Sequence, residues 1–292
     1  MITTFATSSA GIALTTGYYL ELDRYGTNQV LIDLEGWYSP APMRTTSTPR
    51  LWAPGSFSER GYRDERLISL TGQVSCLSRY DAAFMTDTLA ATLADGEAGT
   101  FTVDDEDLGV RSAEVYLTGT PKVTWDGQRD IDFTVDMRAP DPRKYGPIVK
   151  TAPITASDPG GGLTFDLFAT ANANILDFGA VGVAGRGTLA NAGSAESSPT
   201  FTVTGPISDG FTITAVDSGA RLVYSGQLGL GEVLVLDSSD GSVMLNGAAD
   251  RSSLLVRREW TDIPRHGKRT YLFDAPYSDW ATLTIGAAPA WW

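Results

Sequence analysis

The chain has 292 residues, a formal net charge of -13 and one cysteine. This length predicts two domains. The charge argues against direct nucleic-acid binding and against docking on an anionic membrane, because both depend on Lys and Arg. One cysteine excludes an internal disulfide framework. The lack of a basic start and of a long apolar run predicts a cytosolic product without a signal peptide and without membrane insertion.

The first part of the chain is predicted to be mostly β-strand. Short runs rich in aliphatic and aromatic residues, separated by Gly, Pro and Asn, are typical of strands, and they occupy residues 18–22, 30–34 and 66–77. Residues 38–57 contain four prolines and little apolar periodicity. Because proline cannot donate to a strand ladder, we predict a long loop or arm there, without strands.

A single helix is predicted from about residue 79 to residue 95. Ser78 and Asp81 form a capping pattern, and Asp95-Gly96 ends the segment. Apolar residues recur on one face at helical spacing, namely Ala82, Met85, Leu89 and Leu93. We expect this face to cover a sheet.

Two hairpins are predicted after the helix. The first joins residues 99–103 to residues 110–117, and the second joins residues 122–125 to residues 131–137 around Asp126-Gly127. At the start of residues 139–147, two closely spaced X-Pro bonds, at Pro140 and Pro142, then force extended backbone and stop the sheet. We therefore expect one domain over residues 1–146 and another over residues 147–292.

The second part of the chain predicts a β-sandwich or jelly roll. Residues 191–193 form an Asn/Gly turn, after which apolar residues and threonines alternate along residues 199–205 and 211–214. Further strands are predicted at residues 231–236 and 242–247. The glycine-rich residues 160–162 and 179–187 are interpreted as flexible connections. The second of these lacks the Gly-Lys-Ser/Thr of a phosphate loop.

The sequence gives little support for catalysis. His266 is the only histidine, lies in a turn-like Pro-Arg-His-Gly segment, and is interpreted as a solvated loop residue. A Ser-His-Asp arrangement through His266 stays open, although no Gly-x-Ser-x-Gly elbow accompanies it. With 35 acidic residues the sequence cannot nominate a glycosidase pair. We expect a protein that is not an enzyme and that has no cofactor.

Two charged clusters are candidate subunit contacts. Residues 104–107, here called the acidic turn, lack the alternating ligands of a calcium loop and predict a charged hairpin tip. Positive charge concentrates late in the chain, beginning with Arg257 and Arg258. One interpretation is exposed strand ends; the other is a seam in which these arginines meet the acidic turn of a neighbouring subunit. The residues of this seam are Asp104, Asp105, Glu106, Asp107, Arg257 and Arg258.

The seven tryptophans leave a different function open. Most are expected in cores, but some would suit a sugar-stacking platform, and β-sandwiches are common lectin scaffolds. Trp291-Trp292 must pack or lie in an interface, because an exposed pair would form a sticky patch. A carbohydrate-binding module is therefore the alternative prediction.

The order of these elements resembles that of the distal tail proteins of long-tailed phages, a group of minor tail proteins. The resemblance is carried by the strand that leads into the helix, the two hairpins, the Pro-rich junction at residues 139–147 and the turn-strand succession of residues 191–205. It implies a mainly β protein, with a tail-tube-like N-terminal domain that contains the one helix and a C-terminal β-sandwich of jelly-roll or galectin-like kind.

The same resemblance implies a structural virion protein that is assembled in the host cytoplasm and located at the tail tip. Members form a ring, typically of six copies, at the distal end of the tail tube. They connect the tail tube protein to the tail hub, the tape-measure protein, other minor tail proteins and host-recognition parts of the baseplate. Residues 38–57 then become a candidate inter-subunit arm, and a ring channel lined with carboxylates would repel passing DNA.

Overall fold

The computed structural model describes residues 2–7, 11–15, 18–22, 26–58, 60–91, 93, 96–105, 107–157, 185–276 and 280–292. Over these residues the protein is mainly β, as predicted, with one α-helix. The chain divides into two compact units. The first unit comprises Met1–Gly146 together with Trp291–Trp292, and the second comprises Pro147–Ala290. Within the described residues, no helix combines the length and the hydropathy needed to span a bilayer.

The first unit contains strands and one helix in the following order along its described residues: β1 (Ile2–Thr7), β2 (Gly11–Thr15), β3 (Tyr18–Leu22), β4 (Gly26–Glu35), β5 (Met43–Arg44), β6 (Ser47–Pro49), β7 (Ser56–Ser58), β8 (Tyr62–Arg63), β9 (Arg66–Ser75), α1 (Arg79–Ala91), β10 (Gly99–Asp105), β11 (Gly109–Leu117), β12 (Lys122–Asp126), β13 (Asp130–Ala139) and β14 (Lys144–Tyr145).

The second unit continues with the following elements: β15 (Val149–Lys150), β16 (Ile154–Thr155), β17 (Arg186–Asn191), β18 (Thr200–Thr204), β19 (Phe211–Ala215), β20 (Arg221–Tyr224), β21 (Val233–Asp237), β22 (Val243–Leu245), β23 (Ala249–Asp250), a 3-10 turn (Ser252–Leu254), β24 (Leu255–Arg258), β25 (Gly267–Asp274) and β26 (Thr282–Ala287). A last strand, β27 (Ala290–Trp291), carries the chain back to the sheet of the first unit.

The first unit is built on an eleven-stranded sheet in the order β12-β13-β9-β4-β3-β2-β1-β10-β11-β14-β27. Neighbouring strands from β12 to β14 pair antiparallel. Strand β11 also pairs with β13, with Tyr116 opposite Arg138 and Leu117 opposite Met137. This pairing closes the sheet on itself, so one side of each strand from β9 to β13 faces a shared core.

The strand predicted within residues 66–77 is confirmed as β9, and its side chains alternate between that core and the outside. Along β9, inward positions are buried and outward positions are mostly exposed. Helix α1 covers the core with the predicted face, since Ala82, Met85 and Leu89 are all buried. Its capping pattern is also confirmed: the Ser78 hydroxyl donates to the Asp81 carboxylate at 2.8 Å and accepts the Asp81 amide at 3.2 Å. The helix ends at Ala91, earlier than predicted.

The prediction that residues 38–57 contain no strands is wrong. Strand β5 pairs with β8, and β6 pairs with β7, so the segment is a nested pair of two-stranded ribbons. We call residues 38–58 and 60–63 the arm. A two-stranded ribbon has two free edges, so a strand residue such as Pro49 can occupy a position that needs no amide donor. The prolines thus limit the width of the ladder and do not prevent it.

The second unit is a β-sandwich. One sheet has the order β15-β26-β18-β21-β22-β23, with β16 also on β26, and the other has the order β17-β25-β19-β20-β24. Side chains from both sheets form one buried cluster, in which the Phe201 and Tyr271 rings meet edge-on with centroids 5.0 Å apart. The predicted strands near residues 201, 213, 234 and 244 are confirmed.

The glycine-rich connections are only partly described. Residues 160–162 and most of residues 179–187 lie outside the described residues. At the end of the second run, Arg186 and Gly187 belong to β17 and pair with Leu272 and Tyr271. A Cβ on Gly187 would meet the Ile154 side chain at 2.1 Å, so this glycine allows close packing and is not part of a flexible connection.

Candidate functional site

The arm presents apolar side chains to solvent. Trp52 is 97% exposed and Leu51 is 88% exposed, and both lie in the connection between β6 and β7. The Arg50 amide donates to the Gly55 carbonyl at 3.0 Å and closes this tip. Residues 38–58 contain two arginines and no carboxylate, although the whole chain carries a net charge of -13. The arm is therefore an apolar, cationic projection on an acidic protein.

The arm root, residues 36–39, is held by two buried cations. Arg66 is 1% exposed and donates from Nη1 to the carbonyls of Gly36 at 2.9 Å, Trp37 at 3.3 Å and Ser39 at 2.6 Å. Lys144 is 5% exposed, and its Nζ donates to the Trp37 carbonyl at 3.0 Å. Burial is the largest cause that lowers the pKa of Lys144, and the nearby positive charges of Arg66 and Arg111 also lower it. Together they bring this pKa to about 8.

Two arginines hold the last two residues of the chain within the first unit. The Arg111 guanidinium lies 4.3 Å from the centroid of the Trp291 ring, and the Arg63 guanidinium lies 5.0 Å from that of Trp292. Arg63 belongs to β8 and also donates to the Ala41 carbonyl at 3.4 Å. The last residue therefore contacts the strand that ends the arm, in agreement with the prediction that the tryptophan pair must pack.

The acidic turn is engaged with the first residue of the arm. The Tyr38 hydroxyl donates to Asp105 at 3.0 Å, and Asp105 also accepts the amides of Asp107 at 2.9 Å and Leu108 at 3.1 Å. These backbone hydrogen bonds hold the pKa of Asp105 below its usual range. Asp104 and Asp107 are exposed, and Glu106 lies outside the described residues.

The outward side of β4, β9, β13 and β12 is strongly acidic. In this sheet Asp136 lies opposite Ser69, Asp132 lies opposite Gln73, and Asp126 lies opposite Asp130. We call the following six outward carboxylates the acidic face: Asp33, Glu35, Asp126, Asp130, Asp132 and Asp136. Two cations share this side, and one of them, Arg138, forms an ion pair with Glu65 at 3.5 Å. Six carboxylates on the outward side of neighbouring strands are an electrostatic feature that the fold itself does not require.

The two arginines of the predicted seam, Arg257 and Arg258, lie in the second unit. The Arg257 guanidinium donates to Glu259 at 2.8 Å. The Arg258 guanidinium donates to the carbonyls of Leu255 at 3.0 Å and Ser252 at 2.6 Å. Arg258 therefore has partners on its own strand and on the turn before it, and Arg257 has a partner directly after the strand. The pairing of these arginines with the acidic turn of another subunit stays a prediction.

The remaining sequence candidates have simple placements. His266 is exposed in a turn with φ of 49°, and its amide donates to the Gly193 carbonyl at 3.0 Å, which confirms the solvated loop interpretation. In the second unit, Trp260 packs against the core, whereas Trp280 is 78% exposed. A sugar-stacking platform would have to be built on Trp280.

Sequence reasoning missed the buried cations at the arm root. Charged residues are almost never fully buried without partners, so Arg66 and Lys144 were not candidates. One signal was present: Arg66 occupies an inward position in the alternation of β9, in the same row as Ile68 and Leu70. An arginine in such a row indicates carbonyl acceptors inside the core.

Comparisons with known proteins agree with this architecture. Residues 192–275 match the family model described as siphovirus-type tail component, C-terminal domain. No curated protein sequence matches the chain. Among solved structures, the chain is similar to the Dit protein of phage SPP1, with a TM-score of 0.62 and 14% identity over 99% of both chains. That protein's structure is described as a paradigm of the hub adsorption apparatus in phages that infect Gram-positive bacteria.

The chain is also similar to a component of the phage P2 baseplate in its activated conformation. The calcium form gives a TM-score of 0.53 with 10% identity over 98% of both chains. The strontium form gives 0.54 with 10% identity, over 98% of this chain and 97% of the other. Together these findings confirm the predicted resemblance to phage distal tail proteins.

Proposed function

We propose that this chain, which has the fold of the phage distal tail proteins, is a structural subunit of the tail tip of a long-tailed phage. In this function several copies form a ring at the distal end of the tail tube and connect the tube to the hub and baseplate. The observation that carries the proposal is the similarity to a phage hub protein over 99% of both chains, in the same chain whose residues 192–275 match a tail-component family.

The arm supports assembly into a ring. A 97% exposed tryptophan at the end of a ribbon is unfavourable in an isolated chain, because the free energy falls when exposed apolar surface is covered. The buried contacts of Arg66 and Lys144 fix the arm root, so little conformational entropy has to be lost when the tip binds. The resemblance implies six copies, and the arm is our candidate for the inter-subunit contact.

The acidic face supports a channel through the ring. DNA is a polyanion, and carboxylates that line a channel would repel it and prevent binding to the wall. In our proposal carboxylates of the acidic face, among them Asp126, Asp130 and Asp132, point into this channel. The opposite arrangement, a channel lined with basic side chains, would contradict it.

The partners and location follow from the proposed position. The ring would contact the tail tube protein on one side and the tail hub, the tape-measure protein and other minor tail proteins on the other. It would be part of the virion after assembly in the host cytoplasm. The seam between Arg257, Arg258 and the acidic turn of a neighbour is a second proposed contact, which charge reversal of both arginines to Glu should weaken.

Light scattering over a range of concentrations, combined with negative-stain imaging, tests the proposed ring. We expect closed rings with a central channel, either from the isolated protein or after addition of tail tube protein as a template. A protein that stays monomeric under both conditions would contradict the ring. A variant without residues 40–57 is the control, and it should remain a folded monomer.

A carbohydrate-binding function of the second unit is favoured by one observation, the exposed Trp280. Sugar rings stack on exposed aromatic faces. A glycan array with the wild-type protein and a Trp280→Ala variant tests this alternative. Binding that the substitution abolishes would add receptor recognition to the structural function, and no binding would leave the structural function alone.

A further inference from the structure

We propose that the arm tip of one copy docks in a groove at the arm root of the next copy, with Trp52 in the groove and Arg50 facing Glu35 and Asp136. This inference rests on the proposed function, because it names the surfaces that would join neighbouring subunits of the ring. It assigns one donor surface and one acceptor surface to the same chain.

The acceptor is a groove of about 350 Å³ in the first unit. It lies where the ends of β4 and β13 meet the start of β9, and it is lined by residues that include Glu35, Leu67, Thr118 and Asp136. Its volume is at the lower end of the range of roughly 300 to 1,000 Å³ that is typical of pockets for small ligands, which suits one large side chain. Leu67 is 56% exposed there, so the groove has an apolar wall open to solvent.

The donor is the arm tip. In the same chain Trp52 remains 97% exposed, so the tip does not occupy the groove of its own first unit. From Met43 to Trp52 the arm has nine residue steps, and an extended strand of that length spans roughly 30 Å. The arm therefore has enough length to reach a neighbouring copy.

Charge favours the same pairing. The groove carries the carboxylates of Glu35 and Asp136, and within the described residues neither carboxylate belongs to an ion pair with an Arg or Lys side chain. Asp136 accepts the Ser69 hydroxyl at 2.7 Å. The arm tip carries Arg50 and has no carboxylate between residues 38 and 58. An acidic groove and a cationic aromatic tip are complementary, and such complementarity fixes the register of an interface.

The arrangement is head-to-tail. Because the tip and the groove are different surfaces of one chain, each copy would donate its tip to one neighbour and accept the tip of another. Contacts of this kind generate a closed ring when the rotation between copies closes, and otherwise a filament. Trp52 is a suitable anchor, because tryptophan and arginine dominate the binding energy of protein interfaces.

Cysteine crosslinking between two separately purified variants tests the docking. Cys76 is buried and is replaced by Ala in all variants, whose folding is checked by circular dichroism. One variant then carries Ala53→Cys, an exposed tip position next to Trp52 that leaves this anchor in place, and the other carries Leu67→Cys. After mixing and mild oxidation we expect a crosslinked pair at least about tenfold above background, because docking raises the effective concentration of the two thiols.

The matched control replaces Leu67→Cys by Ala83→Cys, an exposed position on helix α1. Crosslinking of Ala53→Cys to Leu67→Cys at the level of this control would overturn the docking. If rings still form in light scattering, the proposed function stands and only the docking fails. If the specific crosslink forms but no closed ring appears, the result supports the docking contact and contradicts the proposed ring.

Charge reversal gives an independent measurement. Arg50→Glu should weaken self-association at least about tenfold, since a like charge then faces Glu35 and Asp136. Adding Glu35→Arg to Arg50→Glu should restore association. Arg44→Glu, which changes the same net charge in β5 away from the tip, serves as the control. Equal effects of Arg50→Glu and Arg44→Glu, without restoration, would overturn the proposal.

Discussion

Arg66 and Lys144 donate hydrogen bonds to the same carbonyl oxygen, that of Trp37. The two cations come from β9 and β14, and both are almost fully buried. Like charges repel strongly in a medium of low dielectric constant, so this arrangement persists only because four carbonyls stabilise Arg66 and one of them also accepts Lys144. The arm root is therefore fixed by electrostatics as much as by packing.

Replacing Arg66 should destabilise the first unit severely. Arg66→Met removes four charge-assisted hydrogen bonds and leaves the arm-root carbonyls of Gly36 and Ser39 without this donor. We expect a loss of about 3 kcal/mol in the free energy of unfolding, measured by urea denaturation. Arg66→Lys should recover little, because one ammonium cannot reproduce the planar fork. Arg138→Ala, which breaks an exposed ion pair, should cost less than about 1 kcal/mol.

Lys144 should make stability depend on pH above neutrality. Its pKa in the folded state is about 8, below its ordinary value, so the unfolded chain binds this proton more tightly. Stability from this group should therefore rise between about pH 8 and pH 10, by up to about 3 kcal/mol. Tyr38 and Tyr271, with a pKa of about 12 each, should oppose the rise above pH 10.

Urea midpoints measured at intervals of pH test this behaviour. The Lys144→Met variant is the control, and it should lose the rise between pH 8 and pH 10 while it keeps the fall above pH 10. A wild-type stability that decreases steadily from pH 8 would contradict the assignment.

The terminal tryptophans should stabilise the first unit. Trp291→Ala removes the ring that Arg111 covers, and we expect a loss of about 2 kcal/mol in that unit, from lost burial and the lost cation–π contact. Differential scanning calorimetry would resolve the affected transition. The control is Trp280→Ala, which removes an exposed ring of the second unit and should leave both transitions within about 0.5 kcal/mol of wild type.

Asn191 should be essential for the second unit. Its amide donates to the Ala195 carbonyl at 2.7 Å and to the Ile263 carbonyl at 3.3 Å, while its oxygen accepts the Gly193 amide at 2.9 Å. Asn191→Asp keeps the size but turns the donor into a carboxylate that faces carbonyls. We expect a loss of about 3 kcal/mol by urea denaturation, against less than about 1 kcal/mol for Ser198→Ala.

Carboxylates of the acidic face should reduce stability. Asp126 lies directly opposite Asp130, and like charges in such cross-strand pairs are destabilising. Asp126→Asn should therefore raise the free energy of unfolding by roughly 0.5 kcal/mol at low salt, and the gain should shrink at high ionic strength. The exposed helix residue Asp87 supplies the control, because Asp87→Asn should show no comparable gain. A gain that salt does not change would contradict the electrostatic explanation.

Much of the fold follows from local patterns in the sequence. The alternation around Phe201 and Ile213 predicts the sandwich strands, and Ser78 with Asp81 predicts the start of the helix, because both signals depend on contacts within a few residues. The prolines of the arm indicate a loop, so the sequence does not predict its ribbons. A two-stranded ribbon tolerates proline because its free edges need no amide donor. Contacts between distant residues, such as Lys144 with Trp37, leave no local pattern.

The candidate surfaces were predicted less well than the fold. Asp105, one candidate for a contact with another subunit, accepts a hydrogen bond from Tyr38 in its own chain, and its contact with a neighbour stays a prediction. The acidic face could not be read from the sequence, because its carboxylates come from three strands, β4, β12 and β13, whose arrangement is set by the whole sheet. The apolar tip of the arm is not predicted either, since most tryptophans are expected in cores, whereas Trp52 is 97% exposed.

The return of Trp291 and Trp292 to the first unit has a consequence for biosynthesis. During translation, the ribosome completes residues 147–290 before these two tryptophans emerge, so the first unit stays without its last strand until then. Domains generally fold as units during synthesis, but here the two units are completed within two residues of each other. Neither unit is therefore complete before residues 290–292 have been synthesised.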